Sequence, residues 1–174
     1  TDGTAAGTFA VADLPDNGFE NYALFGFGTG VVFRARDDQY GLEPWISDGT
    51  SVGTHILADL CPGPCSSAPT IESTPYGLLL SGEASLGSGA KAYWLPFGAA
   101  APSELALPCG PEPCDRYASY VGAIDQRVFF SGESSTPRTV ALWSLEPASG
   151  SIRQETSFPA SAILEMLPFA GRFR

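Results

Sequence analysis

The sequence predicts an all-β protein, and within that class a partial β-propeller of four-stranded antiparallel blades with a repeat of about 46–50 residues. Three observations predict this fold. The 20 glycines and 15 prolines are scattered between short apolar runs, which is typical of many strands and turns. The three tryptophans recur every 49 residues, and no window carries the sustained 3.6-residue apolar period of a long helix. A β-sandwich is the alternative.

Composition indicates a chain that can fold and narrows the classes of partner. Of its 174 residues, 44% are hydrophobic and 16% are charged, so the chain can bury a core. Nine basic and nineteen acidic residues give a net charge of -10, which would repel phosphate backbones and anionic membrane surfaces. We therefore expect no nucleic-acid partner. The apolar runs have the length of strands, so we also expect no membrane insertion of this segment.

The tryptophans Trp45, Trp94 and Trp143 mark the repeat most clearly. Each follows an apolar run, at 31–33, 78–80 and 128–130 respectively. We interpret the three indoles as one structural position that packs between adjacent blades. An exposed platform on which a ligand stacks is the alternative.

The repeat predicts a single repeat region, 1–174, that is cut at both ends. The first residues repeat a motif that recurs 46 residues later, and the last residues resemble the entry to the run at 128–130. Within a unit, four strand-like runs can be counted, for example 117–124, 127–132, 140–145 and 151–157. The predicted units are 1–20 (the end of a blade), 21–67, 68–115, 116–160 and 161–174 (the start of a blade).

One unit carries a longer motif, Glu43-Pro44-Trp45-Ile46-Ser47-Asp48-Gly49-Thr50-Ser51-Val52-Gly53-Thr54, followed by a loop at 61–67 of the form Pro-Gly-x-x-Ser-Ser. This stretch resembles the ELWxxDGT-type repeat of bacterial cell-surface and secreted proteins, with Pro44 where leucine is usual. The resemblance implies an extracytoplasmic, propeller-like and non-catalytic repeat region that is often part of a larger protein.

The Asp-Gly pairs of the motif, Asp2-Gly3 and Asp48-Gly49, are interpreted as tight turns. Aspartate can accept a backbone N–H, and glycine supplies a positive φ. The later units keep a tryptophan but lose Asp-Gly-Thr, and a turn can be replaced in this way more easily than a catalytic group. Contact of one aspartate with a cation or ligand is the alternative.

The four cysteines form two pairs in proline-rich loops, Cys61 with Cys65 and Cys109 with Cys114. Bends between the members of each pair allow the sulfurs to meet, so we expect two local disulfides and an oxidising compartment. A four-cysteine zinc site is an alternative, but it needs loops of successive blades to converge. A redox-active pair is the third possibility.

The sequence shows no catalytic motif. His55 is the only histidine, so a histidine pair for a metal is impossible, and no Gly-x-Ser-x-Gly elbow occurs. We therefore predict no enzyme, no catalytic residue and no bound cofactor. The candidates for a calcium ion are Glu83, Glu133 and Asp48, and the alternative is that these are solvated carboxylates at strand ends and turns.

These observations predict a non-catalytic extracellular binding or structural module of a larger bacterial secreted or surface protein. Its partner would be a protein or a glycan at a propeller face. The alternative is a propeller enzyme, a glycosidase or lyase, in which Glu83 and Glu133 converge on the central channel.

Overall fold

The computed structural model describes residues 3–13, 23–107, 118–135, 138–159, 168–169 and 172–173. Every regular element in these ranges is a strand. The all-β prediction is therefore confirmed. The described part of the chain contains no helix long and apolar enough to cross a membrane.

Twelve of the strands form three four-stranded antiparallel sheets, in each of which consecutive strands pair. The first sheet contains β1 (Phe25–Phe27), β2 (Gly30–Asp37), β3 (Gly41–Ser47) and β4 (His55–Ile56). The second contains β5 (Thr70–Thr74), β6 (Gly77–Glu83), β7 (Ala90–Pro96) and β8 (Ser103–Glu104). The third contains β9 (Ala118–Ile124), β10 (Arg127–Ser135), β11 (Arg138–Leu145) and β12 (Ile152–Pro159). A separate hairpin follows, β13 (Pro168–Phe169) with β14 (Arg172–Phe173).

Each sheet falls inside one of the predicted units 21–67, 68–115 and 116–160, and the unit bounds themselves stay predictions. Short strands arise here because turn residues interrupt every apolar run. The connection between β10 and β11 is shorter than the corresponding connections in the other two sheets.

The hairpin that opens each sheet has the same geometry. A two-residue loop separates the closing pairs, which are Phe27 with Gly30, Thr74 with Gly77, and Ile124 with Arg127. The pair Phe169 with Arg172 repeats this spacing in the last hairpin. Gly30, Gly77 and Arg127 are therefore equivalent positions, and they define a common register for the three sheets.

The second sheet is buried on both faces, which explains why β6 contains three consecutive leucines. Leu78, Leu80, Tyr93 and Leu95 pack with residues of the first sheet, including Val32. The alternate positions pack against the third sheet, and this second cluster includes Leu79, Trp94, Phe130 and Trp143. The second sheet is thus the middle layer of the described structure.

Each of the two interfaces between sheets has a hydrogen bond between the second strand of one sheet and the beginning of the next. Arg34 Nη1 donates to the carbonyl of Pro69 at 2.8 Å, and the N–H of Ala118 donates to Ser81 Oγ at 2.8 Å. Arg34 and Ser81 both lie four residues after the hairpin, at Gly30 and Gly77, and Pro69 and Ala118 are equivalent in the strand register. The first strands also contact one another, β1 with β5 and β5 with β9. In both interfaces, therefore, the second strand of one sheet contacts the beginning of the next sheet at equivalent positions.

Candidate functional site

Asp48 lies in a turn between β3 and β4. Its Oδ1 accepts hydrogen bonds from the N–H of Thr50 at 2.8 Å and from Thr50 Oγ1 at 2.7 Å. These bonds hold the pKa of Asp48 below its ordinary value. Gly49 has a φ of +89°, a conformation that glycine adopts without strain. The carboxylate of Asp48 therefore stabilises the turn in which it lies.

The second copy of this turn, near the start of the chain, has matching hydrogen bonds. The N–H of Gly7 donates to Thr4 Oγ1 at 3.0 Å, and Thr8 Oγ1 donates to the carbonyl of Thr4 at 2.7 Å. The bonds of Gly53 and Thr54 to Thr50 have the same two lengths. Gly3 has a φ of +88°, whereas Asp2 lies outside the described residues. The repeated Gly-Thr motif therefore forms the same turn at both places.

Glu43 lies at the centre of a buried polar cluster. Its side chain is fully buried and accepts hydrogen bonds from the N–H groups of Leu60 (3.0 Å), Cys61 (3.3 Å) and Ser67 (2.9 Å), and from Ser67 Oγ (2.7 Å). Burial raises the pKa of this carboxyl group, and the bond from Ser67 opposes that effect. Glu43 therefore holds the loop at 60–67 against β3. The sequence signal for it was the shared occurrence of Glu43 and the two serines in the resembled motif.

The same loop carries the disulfide between Cys61 and Cys65, whose Cα atoms are 5.3 Å apart. Ser66 Oγ accepts hydrogen bonds from Arg36 Nη1 at 3.1 Å and from the N–H of Leu42 at 3.0 Å. The disulfide thus closes a loop that side chains of the first sheet already hold. Cys109 and Cys114 lie outside the described residues, so the second pairing stays a prediction.

The tryptophans do not occupy one register position, contrary to the interpretation of their equal spacing. Phe33 and Phe130, each three residues after the hairpin, pair with Trp45 and Trp143. In the second sheet the equivalent pair is Leu80 with Tyr93, and Trp94 is one residue further on. A shift of one residue in a strand turns a side chain to the other face. Loop lengths differ between the units, so equal spacing in sequence is not equal position in space.

The surroundings of the three indoles differ accordingly. Trp94 and Trp143 belong to the same buried cluster, which they enter from the second and third sheets respectively. The indole N–H of Trp94 donates to the carbonyl of Pro147 at 3.1 Å. Trp45 neighbours Ile46, which packs toward the second sheet, so its ring lies on the opposite face. Its buried Nε1 has no hydrogen-bond partner among the described residues.

The calcium candidates are not all in one place. Asp48 follows β3 at the end of the sheet where the opening hairpins lie, whereas Glu83 ends β6 at the opposite end. Glu83 Oε2 accepts a hydrogen bond from the N–H of Gly87 at 3.2 Å. The backbone of Glu133 is at the position in β10 equivalent to Glu83, but its side chain lies outside what the structure describes. The pairing of Glu83 with Glu133 stays a prediction, and no three potential metal ligands cluster among the described residues.

Glu72 links the first strands of two sheets. Its carboxylate accepts a hydrogen bond from the N–H of Tyr120, so β5 is tied to β9. Burial raises the pKa of Glu72, and the bond from Tyr120 opposes that effect. This contact joins the first strands of the second and third sheets. Periodicity in the sequence does not reveal such a contact, because it joins residues of different units.

A cleft of about 300 Å³ opens between the second and third sheets, beside their opening hairpins. Its lining includes Tyr76, Asp125, Gln126, Glu146 and Pro147. The sequence had no signal for this cleft, since it forms only where two sheets meet.

A wider hollow of about 420 Å³ lies at the corresponding end of the first sheet. Its lining is mostly apolar and includes Val11, Leu24, Val31 and Phe33. Val31 and Phe33 are on the face of β2 opposite Val32, which packs with the second sheet. This is the face of the first sheet that no described strand covers.

Comparisons with models of protein families, with curated proteins and with solved structures found no match to this chain.

Proposed function

We propose that this chain is part of a β-propeller that serves as a non-catalytic binding or structural module of a secreted or surface protein. The observation that carries the proposal is a hydrogen bond at equivalent positions in both interfaces between sheets. Arg34 reaches Pro69 as Ser81 reaches Ala118, at equivalent positions in the register. Contacts at equivalent positions between successive four-stranded sheets, whose first strands adjoin, favour radial stacking over a two-layer sandwich.

An oxidising compartment is supported by the disulfide between Cys61 and Cys65. Such bonds persist in secreted and surface proteins and are rare in reducing compartments. The resemblance to the ELWxxDGT-type repeat supports the same location. Together with the acidic net charge of -10, these features favour a protein or glycan partner over nucleic acid.

Spin labels on the outer strands test the radial arrangement. His55, Ser103 and Arg153 are exposed and equivalent, because their partners Ile46, Trp94 and Ser144 share one register position. Labels attached through a keto-bearing amino acid leave the cysteines untouched, and pulsed electron paramagnetic resonance reads the distances. In a propeller, neighbouring labels lie farther apart than the roughly 10 Å between parallel stacked sheets. The distance between the labels at 55 and 153 is also shorter than the sum of the distances from 55 to 103 and from 103 to 153. Three labels along a straight line would contradict the proposal.

A further inference from the structure

The cleft between the second and third sheets lies where the other interface has a contact between two aromatic rings. Leu95 and Leu145 are equivalent in the register, so Phe97 and Pro147, two residues later, are also equivalent. In the first interface the ring of Phe97 lies 5.6 Å from that of Phe27. In the second interface Pro147 stands at this position, and a cleft of about 300 Å³ remains. The second interface keeps neither aromatic of this contact, because Thr74 stands at the position of Phe27.

Both walls of the cleft are held by hydrogen bonds to the backbone. The carbonyl of Pro147 accepts the indole N–H of Trp94 at 3.1 Å. The carbonyl of Tyr76 accepts the N–H of Phe97 at 3.0 Å, and the N–H of Tyr76 donates to Thr74 Oγ1 at 3.2 Å. A preformed opening of this kind binds a ligand at a smaller entropic cost than a flexible loop does.

The loop at one side of the cleft has a glutamine, Gln126, where its backbone conformation prefers glycine. Asp125 and Gln126 have φ angles of +49° and +61°, in the left-handed region that favours glycine. Two-residue hairpin loops of this shape prefer Asn-Gly or Asp-Gly. The corresponding loop of the first sheet has Gly28, with a φ of +60°, at its first position. Strained residues of this kind concentrate at binding sites, because the side chains are needed there.

The chemistry of the lining suits a neutral saccharide. Tyr76 lines the cleft and also packs against the core cluster between the two sheets, and an aromatic ring can pack on the C–H face of a sugar ring. The carboxylates of Asp125 and Glu146 accept hydrogen bonds from hydroxyl groups, and the amide of Gln126 both donates and accepts. Arg127 also lines the cleft, and its guanidinium donates a hydrogen bond to Ser144 Oγ at 2.8 Å. An anionic ligand is disfavoured by the two carboxylates and by the net charge of -10.

We infer that this cleft is a binding site for a neutral saccharide, with Tyr76 beneath the sugar ring and Asp125, Gln126 and Glu146 on its hydroxyl groups. The volume of about 300 Å³ is at the small end of the range for ligand pockets, which fits one end of a glycan. This inference rests on the proposed function and adds the site and the ligand class.

Saturation-transfer NMR on the whole chain tests it, with lactose, maltose and diacetylchitobiose as the probes. We expect saturation transfer to at least one disaccharide, and a dissociation constant raised about tenfold or more in Tyr76→Ala and in Asp125→Gly. Tyr40→Ala is the matched control, because Tyr40 is also a partly buried turn residue. It lies between β2 and β3, at the end of the first sheet opposite its opening hairpin and away from the cleft. It should bind like the parent chain.

Thermal unfolding separates binding from folding. Asp125→Gly replaces a left-handed aspartate by glycine, so its melting temperature should equal or exceed that of the parent. Loss of binding in this variant therefore reports a lost ligand contact. No transfer to any probe, or equal affinity in the parent and both cleft variants, would overturn the inference.

The recovered disaccharides distinguish the two proposals. Disaccharide recovered intact after binding supports both. Cleavage of the bound disaccharide would overturn the non-catalytic function while the saccharide site remained. Absence of binding together with a radial arrangement of the spin labels would overturn the saccharide site alone.

Discussion

The first and third sheets have the same register but are held at their connections by different chemistry. In the first, Asp48 bonds to Thr50 within a turn, and the buried Glu43 accepts four hydrogen bonds that hold the following loop. In the third, Ala141 stands at the position of Glu43 and Glu146 at that of Asp48. The third sheet nevertheless forms the same hairpin and the same four-stranded order.

This difference teaches that the four-stranded sheet forms without the polar residues of the motif. Apolar faces in register determine the sheets, because burial of those faces is the dominant favourable term in folding. The polar motif determines the path of the chain between strands. Three predictions, from the largest effect to the smallest, test this division.

The variant Phe130→Ala should have the largest effect, since Phe130 is fully buried between the second and third sheets. We expect the free energy of unfolding to fall by about 3–5 kcal/mol, from lost burial and the cavity left behind. Urea denaturation measures it. Phe9→Ala is the control, because Phe9 is 66% exposed, and it should change stability by less than about 0.5 kcal/mol. Similar losses of unfolding free energy in the two variants would contradict the claim that apolar packing holds the third sheet.

The variant Glu43→Ala tests the polar clamp of the first sheet. It removes the acceptor of three backbone N–H groups and of Ser67 Oγ. We expect a loss of about 2–3 kcal/mol, because buried donors are left without partners. Glu83→Ala is the control, since that partly exposed carboxylate accepts a bond from Gly87.

Hydrogen exchange locates the effect of Glu43→Ala. The amides of Leu60, Cys61 and Ser67 should exchange faster, whereas those of β10 should not. Faster exchange spread evenly over all three sheets would show that the clamp supports the whole fold, against the division proposed above.

The variant Asp48→Ala should have the smallest effect, and one that depends on pH. Thr50 lowers the pKa of Asp48 below its ordinary 3.8, so the ionised carboxylate stabilises the folded state above that pH. The stabilisation is lost as pH falls through the lowered pKa. The melting temperature of the parent should therefore exceed that of the variant at neutral pH, and the gap should close in acid.

Glu146→Ala is the matched control for Asp48, because Glu146 has the equivalent position in the third sheet. Its carboxylate accepts a hydrogen bond from Ser149 Oγ at 2.9 Å in an exposed turn. Thermal melts of both variants over the same pH range make the comparison. A gap for Asp48→Ala that persisted at the lowest pH would contradict the hydrogen-bond explanation.

The strands themselves could be predicted from the sequence because their signal is local. The runs at 127–132 and 140–145 fall within β10 and β11, bounded by turn residues as expected. The tryptophan spacing was a poorer guide. Trp94 lies one residue out of the register of Trp45 and Trp143, since the count along the chain includes loops of unequal length.

The candidate site could be predicted only in part. The Asp-Gly-Thr turn is visible in the sequence, because its hydrogen bonds join residues within a few positions of each other. The clamp of Glu43 spans up to 24 residues, and only the resembled motif placed its members together. The cleft left no signal, since Tyr76 and Pro147 belong to different units.

By itself, the sequence determined that this protein is all-β, where its turns lie, and which short stretches repeat, because these properties depend on neighbours along the chain. Only the tertiary structure decided which face each aromatic occupies, which carboxylate is buried, and that Phe27 contacts Phe97 in one interface where a cleft lies in the next. The physical reason is that burial and shape arise where separate sheets meet, and the lengths of the intervening loops set that meeting.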